Sequence, residues 1–72
     1  MTRLEALKWC FDNISQSDND CSLDYIIASI GPDYYEELES MGFVFSGTNW
    51  ETRRFYAQLT KLGKAYCEEI FN

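Results

Sequence analysis

The residues that decide the fold run from Leu38 to Lys64. They open as Leu38-Glu39-Ser40-Met41-Gly42-Phe43-Val44, pass through Ser46-Gly47-Thr48-Asn49, and return as Arg53-Arg54-Phe55-Tyr56-Ala57-Gln58-Leu59-Thr60-Lys61-Leu62-Gly63-Lys64. Leu38 and Met41 share one helical face, and Gly42 is the residue type that most readily takes the left-handed conformation ending a helix. Phe43-Val44-Phe45 reads as a strand with both phenylalanines on one face. The polar residues 46–49 read as a turn. The returning strand puts Arg53, Phe55, Ala57 and Leu59 on one face and Arg54, Tyr56 and Gln58 on the other. Thr60 can then cap a last helix, because its hydroxyl can accept a free backbone N–H. The expected core stripe of that helix is Leu62, Tyr66 and Ile70.

Upstream, the spacing predicts three helices. The first begins at a capping box, Thr2 with Glu5 three residues on, in which side chains and backbone amides satisfy each other reciprocally. Leu4, Leu7, Cys10, Phe11 and Ile14 recur on one face, with Trp9 off it. Ser15 to Asp20 is a polar loop of turn formers. Ser22 is an expected N-cap for a second helix with Leu23, Ile26, Ile27 and Ile30 inward. Gly31-Pro32 ends that helix and starts the third, since glycine suits a helix C-terminus and proline the first helical turn. So tight a break between two helices suggests a helix-turn-helix. The third helix spans Pro32 to about Met41, with Tyr34, Leu38 and Met41 inward.

Seventy-two residues make one domain, and a chain this short buries only about 60–65% of its unfolded surface. The many aromatics, which bury the most apolar area per residue, argue for a folded core. No apolar run approaches the roughly 18 residues of a membrane span. The N-terminus carries no basic-then-apolar signal pattern, so a cytoplasmic location without membrane contact is expected. Cys10, Cys21 and Cys67 form no C-x-x-C pair and are odd in number, which reads as small buried hydrophobes in a reducing compartment rather than a disulfide framework. Without histidine, three scattered cysteines do not make the usual zinc set. Neither a metal nor a cofactor is expected.

Taken together, Leu38-x-x-x-Gly42-Phe43-Val44 and Arg53-Arg54-Phe55-Tyr56-x-x-Leu59-Thr60-x-x-Gly63-Lys64, with the helix order, resemble the winged helix-turn-helix superfamily. The likeness is to small bacterial or phage regulators of the MarR and PadR kind. It covers most of the chain and implies an α+β fold: a small winged helix with three helices, a two-stranded β wing near residues 43–59 and a C-terminal helix, as a single domain over residues 1–72. Only Asp20-Cys21 is available for the strand that such domains place before the second helix. In DNA-binding members the third helix enters the major groove and the wing touches the backbone or minor groove.

The charge opposes that use. The net charge is −6, and residues 9–52 hold nine acids and no lysine or arginine. The outward positions of the third helix are Asp33, Tyr35, Glu36, Glu37 and Ser40. Carboxylates can accept from cytosine but cannot neutralise phosphate, and lost cationic contacts remove the counterion-release gain behind most nonspecific affinity. The cations that remain near the wing are Arg53, Arg54, Lys61 and Lys64. Their plain reading is a solvated face offsetting Glu51, Glu68 and Glu69. Tyr35, Trp50, Tyr56 and Trp9 are the aromatics expected at the surface, where such rings anchor interfaces.

Catalysis has little to stand on, because no histidine is present for a Ser-His-Asp or Cys-His arrangement and adjacent acids such as Glu36-Glu37 or Glu68-Glu69 point in different directions on a helix. The expected function is a non-enzymatic regulator that binds a protein with a basic surface through Asp33, Tyr35, Glu36, Glu37 and Ser40. DNA mimicry, with carboxylates filling a nucleic-acid groove, is a sharper form of it. The alternatives are a DNA-binding regulator using Arg53, Arg54, Lys61 and Lys64, and a structural subunit of a larger complex. The oligomeric state stays open, a homodimer included.

Overall fold

The structure, a computed structural model, describes residues 1–16 and 21–71. Among them are four helices and a three-stranded antiparallel sheet: α1 Arg3–Gln16, β1 Cys21–Ser22, α2 Leu23–Ile30, α3 Pro32–Ser40, β2 Val44–Asn49, β3 Arg54–Leu59 and α4 Lys61–Phe71. Ser15 and Gln16 belong to α1, and the rest of the expected polar loop lies outside the described residues.

The start of α1 is the expected capping box. The Thr2 amide donates to Glu5 Oε1 (3.0 Å) and the Glu5 amide donates to Thr2 Oγ1 (3.2 Å). These hydrogen bonds favour the ionised carboxylate and hold the Glu5 carboxyl below its ordinary range. Ala6, Leu7, Cys10 and Ile14 carry α1 into the core, while Leu4 is exposed.

Ser22 precedes α2 but makes no side-chain cap, because it is engaged in β1 opposite Tyr56. Gly31 takes φ +92°, donates to the Ile27 carbonyl (2.8 Å), and lets Pro32 open α3 without a missing hydrogen bond. The exit of α3 is a Schellman motif. Gly42 (φ +79°) donates to Glu39 and Phe43 donates to Leu38, both at 3.0 Å, and the Leu38 and Phe43 side chains are buried.

The central strand is β3, with β1 paired on one edge (Cys21 opposite Ala57) and β2 on the other (Val44 opposite Leu59, Asn49 opposite Arg54). The sheet thus has a third, two-residue strand beyond the expected hairpin. The hairpin is also longer than expected. Residues 46–49 continue β2, and the turn falls at 50–53, where Asn49 Oδ1 accepts the amides of Glu51 (3.0 Å) and Thr52 (3.3 Å) and Arg53 closes the loop at φ +56°. Gly47 belongs to the strand, paired with Tyr56, and the Tyr56 ring lies across it in the space a side chain would need.

Thr60 fastens the hairpin to α4. Its amide donates to the Phe43 carbonyl (3.0 Å), and its hydroxyl donates to the Gly42 carbonyl while accepting the Gly63 amide (2.9 Å). One residue therefore caps α4 and holds it against the end of α3. The core gathers the α1 residues named above with Cys21, Ile26, Ile30, Tyr35, Leu38, Phe43, Val44, Ala57 and Cys67.

Several side chains point otherwise than their periodicity predicts. Phe43 is buried and stacks on Tyr66 (centroids 4.9 Å apart), but Phe45 is exposed and Val44 takes the inward place. The Schellman bend turns Phe43 under α4 before the strand begins, so the strand's own alternation starts at Val44. Phe55 is 59% exposed, because the helices cover β3 at Ala57 and not towards the hairpin tip. Met41 is exposed, and Tyr34 is half-buried with its hydroxyl donating to the Met1 carbonyl.

The largest departure is in α4. Leu62, Tyr66 and Ile70 are 58%, 40% and 41% exposed, and the helix buries Gly63 and Cys67 instead, with Phe71 following against the core. That is the same four-residue period displaced by one position. A Cβ on Gly63 would overlap the Phe43 carbonyl oxygen and sit 2.9 Å from the Phe43 Cα, so α4 seats itself where a missing side chain lets two backbones meet. Phe71 then reaches Phe11 (6.1 Å between centroids), with the Lys8 ammonium 5.3 Å from its ring centroid.

Candidate functional site

Asp33, Glu36, Glu37 and Ser40 are exposed on α3 and line one open depression of about 370 Å³, together with Arg3 and Met41. Positions 33, 36, 37 and 40 recur at intervals of three and four, so they form one face of the helix. Ser40 Oγ donates to the Glu36 carbonyl (2.9 Å). The depression has one base, which sequence periodicity did not bring to it: Arg3 of α1, whose Nε stands 3.6 Å from Glu37 Oε2. Both side chains are about half exposed, so the pair contributes about 0–1 kcal/mol at most. Nothing local in the sequence marks Arg3 for this role, since a contact across 34 positions is set by how α1 crosses α3. Glu39 lies outside this face, within 3.5 Å of Ser46 Oγ.

Tyr35 is the exception among the expected interface residues. It is buried, because it shares the inward face of α3 with Leu38 three residues on. Its hydroxyl oxygen makes no hydrogen bond of normal geometry. Burial pushes the phenol pKa up, opposed in part by the neighbouring Ser46 hydroxyl. Tyr35 is a core residue rather than an anchor for a partner.

The four cations do not form one cluster. Arg53 and Arg54 are exposed at the hairpin tip, whereas Lys61 and Lys64 are exposed at the start of α4. The whole of β3 separates the two pairs, about 17 Å at the usual rise per strand residue. The arginines do have aromatic company. Trp50 is 83% exposed and Phe55 is exposed beside Arg54, where Ser22, Asn49, Thr52 and Tyr56 complete a shallow hollow of about 170 Å³. Of the other expected surface aromatics, Tyr56 is half-buried over Gly47, and Trp9 is half-buried against Tyr25 (5.4 Å between centroids).

All three cysteines are free and buried. Burial pushes the Cys10 thiol up to about 12 and the Cys67 thiol up to about 11, the latter helped by Asp12 and Glu68, and it raises Cys21 as well. They stay protonated at neutral pH and serve as packing groups. No group of three potential metal ligands is assembled among the described residues. Among those residues, no helix is long and apolar enough to cross a membrane. Comparison with protein-family models, with curated proteins and with solved structures yields no match.

Proposed function

We propose that this chain is a winged-helix protein whose third helix has been turned from DNA to protein: a small non-enzymatic regulator that binds a basic protein surface through the acidic face of α3. The order α1-β1-α2-α3-β2-β3-α4, with β1 paired to β3 and a hairpin projecting after α3, supports the winged-helix reading. The observation that carries the function is the exposed set Asp33, Glu36, Glu37 and Ser40 around one open depression, with Arg3 as its single counter-charge. Like charges one turn apart slightly destabilise a helix, so stability does not explain their presence. Asp33 has a structural use, near the positive end of the helix dipole, and Glu37 a weak one in its pair with Arg3, but Glu36 has neither.

The test begins with the partner captured from the native host and purified. Wild-type binding should weaken with rising salt, as expected of charge-steered association. Glu36→Lys combined with Glu37→Lys should weaken it by at least about tenfold, about 1.4 kcal/mol, while the thermal midpoint stays within a few degrees. Equal affinity for wild type and double variant would reduce this face to a solvated surface.

The hairpin tip supports a second reading. Trp50 and Phe55 are exposed on the same hairpin as Arg53 and Arg54, and Phe55 lines one hollow with Arg54, a combination of rings and guanidinium groups suited to nucleic acid. On that reading Arg53→Ala and Arg54→Ala each lower the slope of log affinity against log salt by about 1. Fluorescence anisotropy with a short duplex at several salt concentrations measures it, and an unchanged slope removes the hairpin from consideration.

A further inference from the structure

We infer that the free edge of β2 is a docking strand, along which an extended basic segment of a partner protein pairs as a further strand of the sheet. The inference rests on the reading of the partner as basic and adds how it is held. The Thr60 amide donates to the Phe43 carbonyl opposite it, and the register carries that pairing on through Phe45, Gly47 and Asn49. Bonded and non-bonded pairs alternate along an antiparallel ladder, so these residues turn their backbone groups towards β3. Val44, Ser46 and Thr48 turn theirs the other way. Because β2 lies at the edge of the sheet, no strand among the described residues takes up their amides and carbonyls.

Sheet edges are ordinarily guarded by a lysine, a proline, a bulge or simple brevity. The opposite edge, β1, is two residues long. β2 is six residues long, pairs with β3 without a bulge, and contains neither a charge nor a proline. Ser46, at its middle, is exposed. An open edge of this kind takes an extended peptide through main-chain hydrogen bonds. Charge decides which peptide. The Glu39 carboxylate stands 3.5 Å from Ser46 Oγ, beside the middle of the edge, and Glu36 is exposed one turn earlier on α3. Arg53, Arg54 and Lys61 lie at the two ends of the hairpin and not along the edge. A second copy is disfavoured. Two β2 edges paired about Ser46 would bring two Glu39 carboxylates together, in chains that each carry a net charge of −6. A basic strand on the same edge places every second side chain on the face of the sheet where Ser46 meets Glu39, so its lysines or arginines find an opposite charge there.

Amide hydrogen exchange of the whole chain by NMR tests this, with a blocked peptide of alternating lysine and valine as the probe. The Ser46 and Thr48 amides should exchange at least about tenfold more slowly with the peptide bound. Methylating alternate peptide amides should abolish binding in one phase and spare it in the other, because a strand meets its neighbour through every second residue. Thr48→Pro removes an outward N–H without touching the ladder to β3. It should weaken peptide binding by at least about tenfold while the thermal midpoint stays within a few degrees, and Glu39→Lys should do the same. A peptide that fails to bind at its highest soluble concentration overturns the inference. So does one that leaves the two amides unprotected, or binds alike in both methylated forms. The purified partner separates this inference from the α3 reading. If Glu36→Lys with Glu37→Lys weakens its binding and Thr48→Pro does not, the α3 face stands and the edge falls; the reverse result leaves the edge and removes the face.

Discussion

Gly63→Ala is expected to destabilise the protein by about 2 kcal/mol or more, although alanine is the better helix former by about 1 kcal/mol. The added methyl would overlap the Phe43 carbonyl and lie 2.9 Å from the Phe43 carbonyl carbon and α-carbon, and these are backbone atoms that cannot rotate aside. Relief requires α4 to lift from the end of α3. That lift would strain the Thr60 bonds to Gly42, Phe43 and Gly63 together and open the packing of Cys67. Overpacking that forces side chains off their rotamers and shifts backbone costs about 1–3 kcal/mol, occasionally more. Chemical denaturation of the two proteins decides the matter. A midpoint equal to or above wild type would mean that α4 does not rest on Phe43 as described.

Leu38→Ala should lose about 2–5 kcal/mol, because Leu38 is fully buried and its truncation leaves a cavity beside Leu7 of α1 and Phe43. The total stability of a 72-residue domain is about 4–11 kcal/mol, so this one change removes a large share of it. Phe55→Ala is the matched control. The returning strand's alternation places Phe55 on the same face as Ala57 and predicts an equal loss, but an exposed ring near the hairpin tip should cost less than about 1 kcal/mol. Denaturant melts of both variants separate the two outcomes. A loss below ~1 kcal/mol at Leu38, or a large loss at Phe55, would contradict the core described above.

The contrast between Leu38 and Phe55 marks the limit of what periodicity can say. A repeat of two or of three to four residues states which side chains share a face. It does not state whether another element covers that face. In α1, α2 and α3 most of the covering was implicit, since three short helices in so small a chain must bury their apolar sides against one another, though Leu4 and Met41, at the ends of their stripes, are left exposed. In α4 two apolar ridges compete, Leu62-Tyr66-Ile70 and Gly63-Cys67-Phe71. The larger side chains favour the first by hydrophobicity, yet the second packs, because glycine allows closer approach than any side chain.

The acidic face was legible for a related reason. Asp33, Glu36, Glu37 and Ser40 are local neighbours on one helix, and the positions facing solvent follow from those facing inward. Tyr35 was misplaced because a tyrosine suits either environment, and only the packing of α3 against its surroundings chose burial. Arg3, far away in sequence, joined the site for reasons no local pattern carries.

By itself, then, the sequence determined the elements and their punctuation: the Thr2–Glu5 box, the Gly31-Pro32 break, the Gly42 exit and the Thr60 cap. Each is a backbone hydrogen-bonding requirement that neighbouring residues satisfy, so it is readable from residues three or four apart. Tertiary structure alone decided the third strand, the rotation of α4 and the burial of Tyr35. These depend on contacts between residues far apart in the chain, such as Cys21 with Ala57 and Gly63 with Phe43, where shape and not local preference selects the partner.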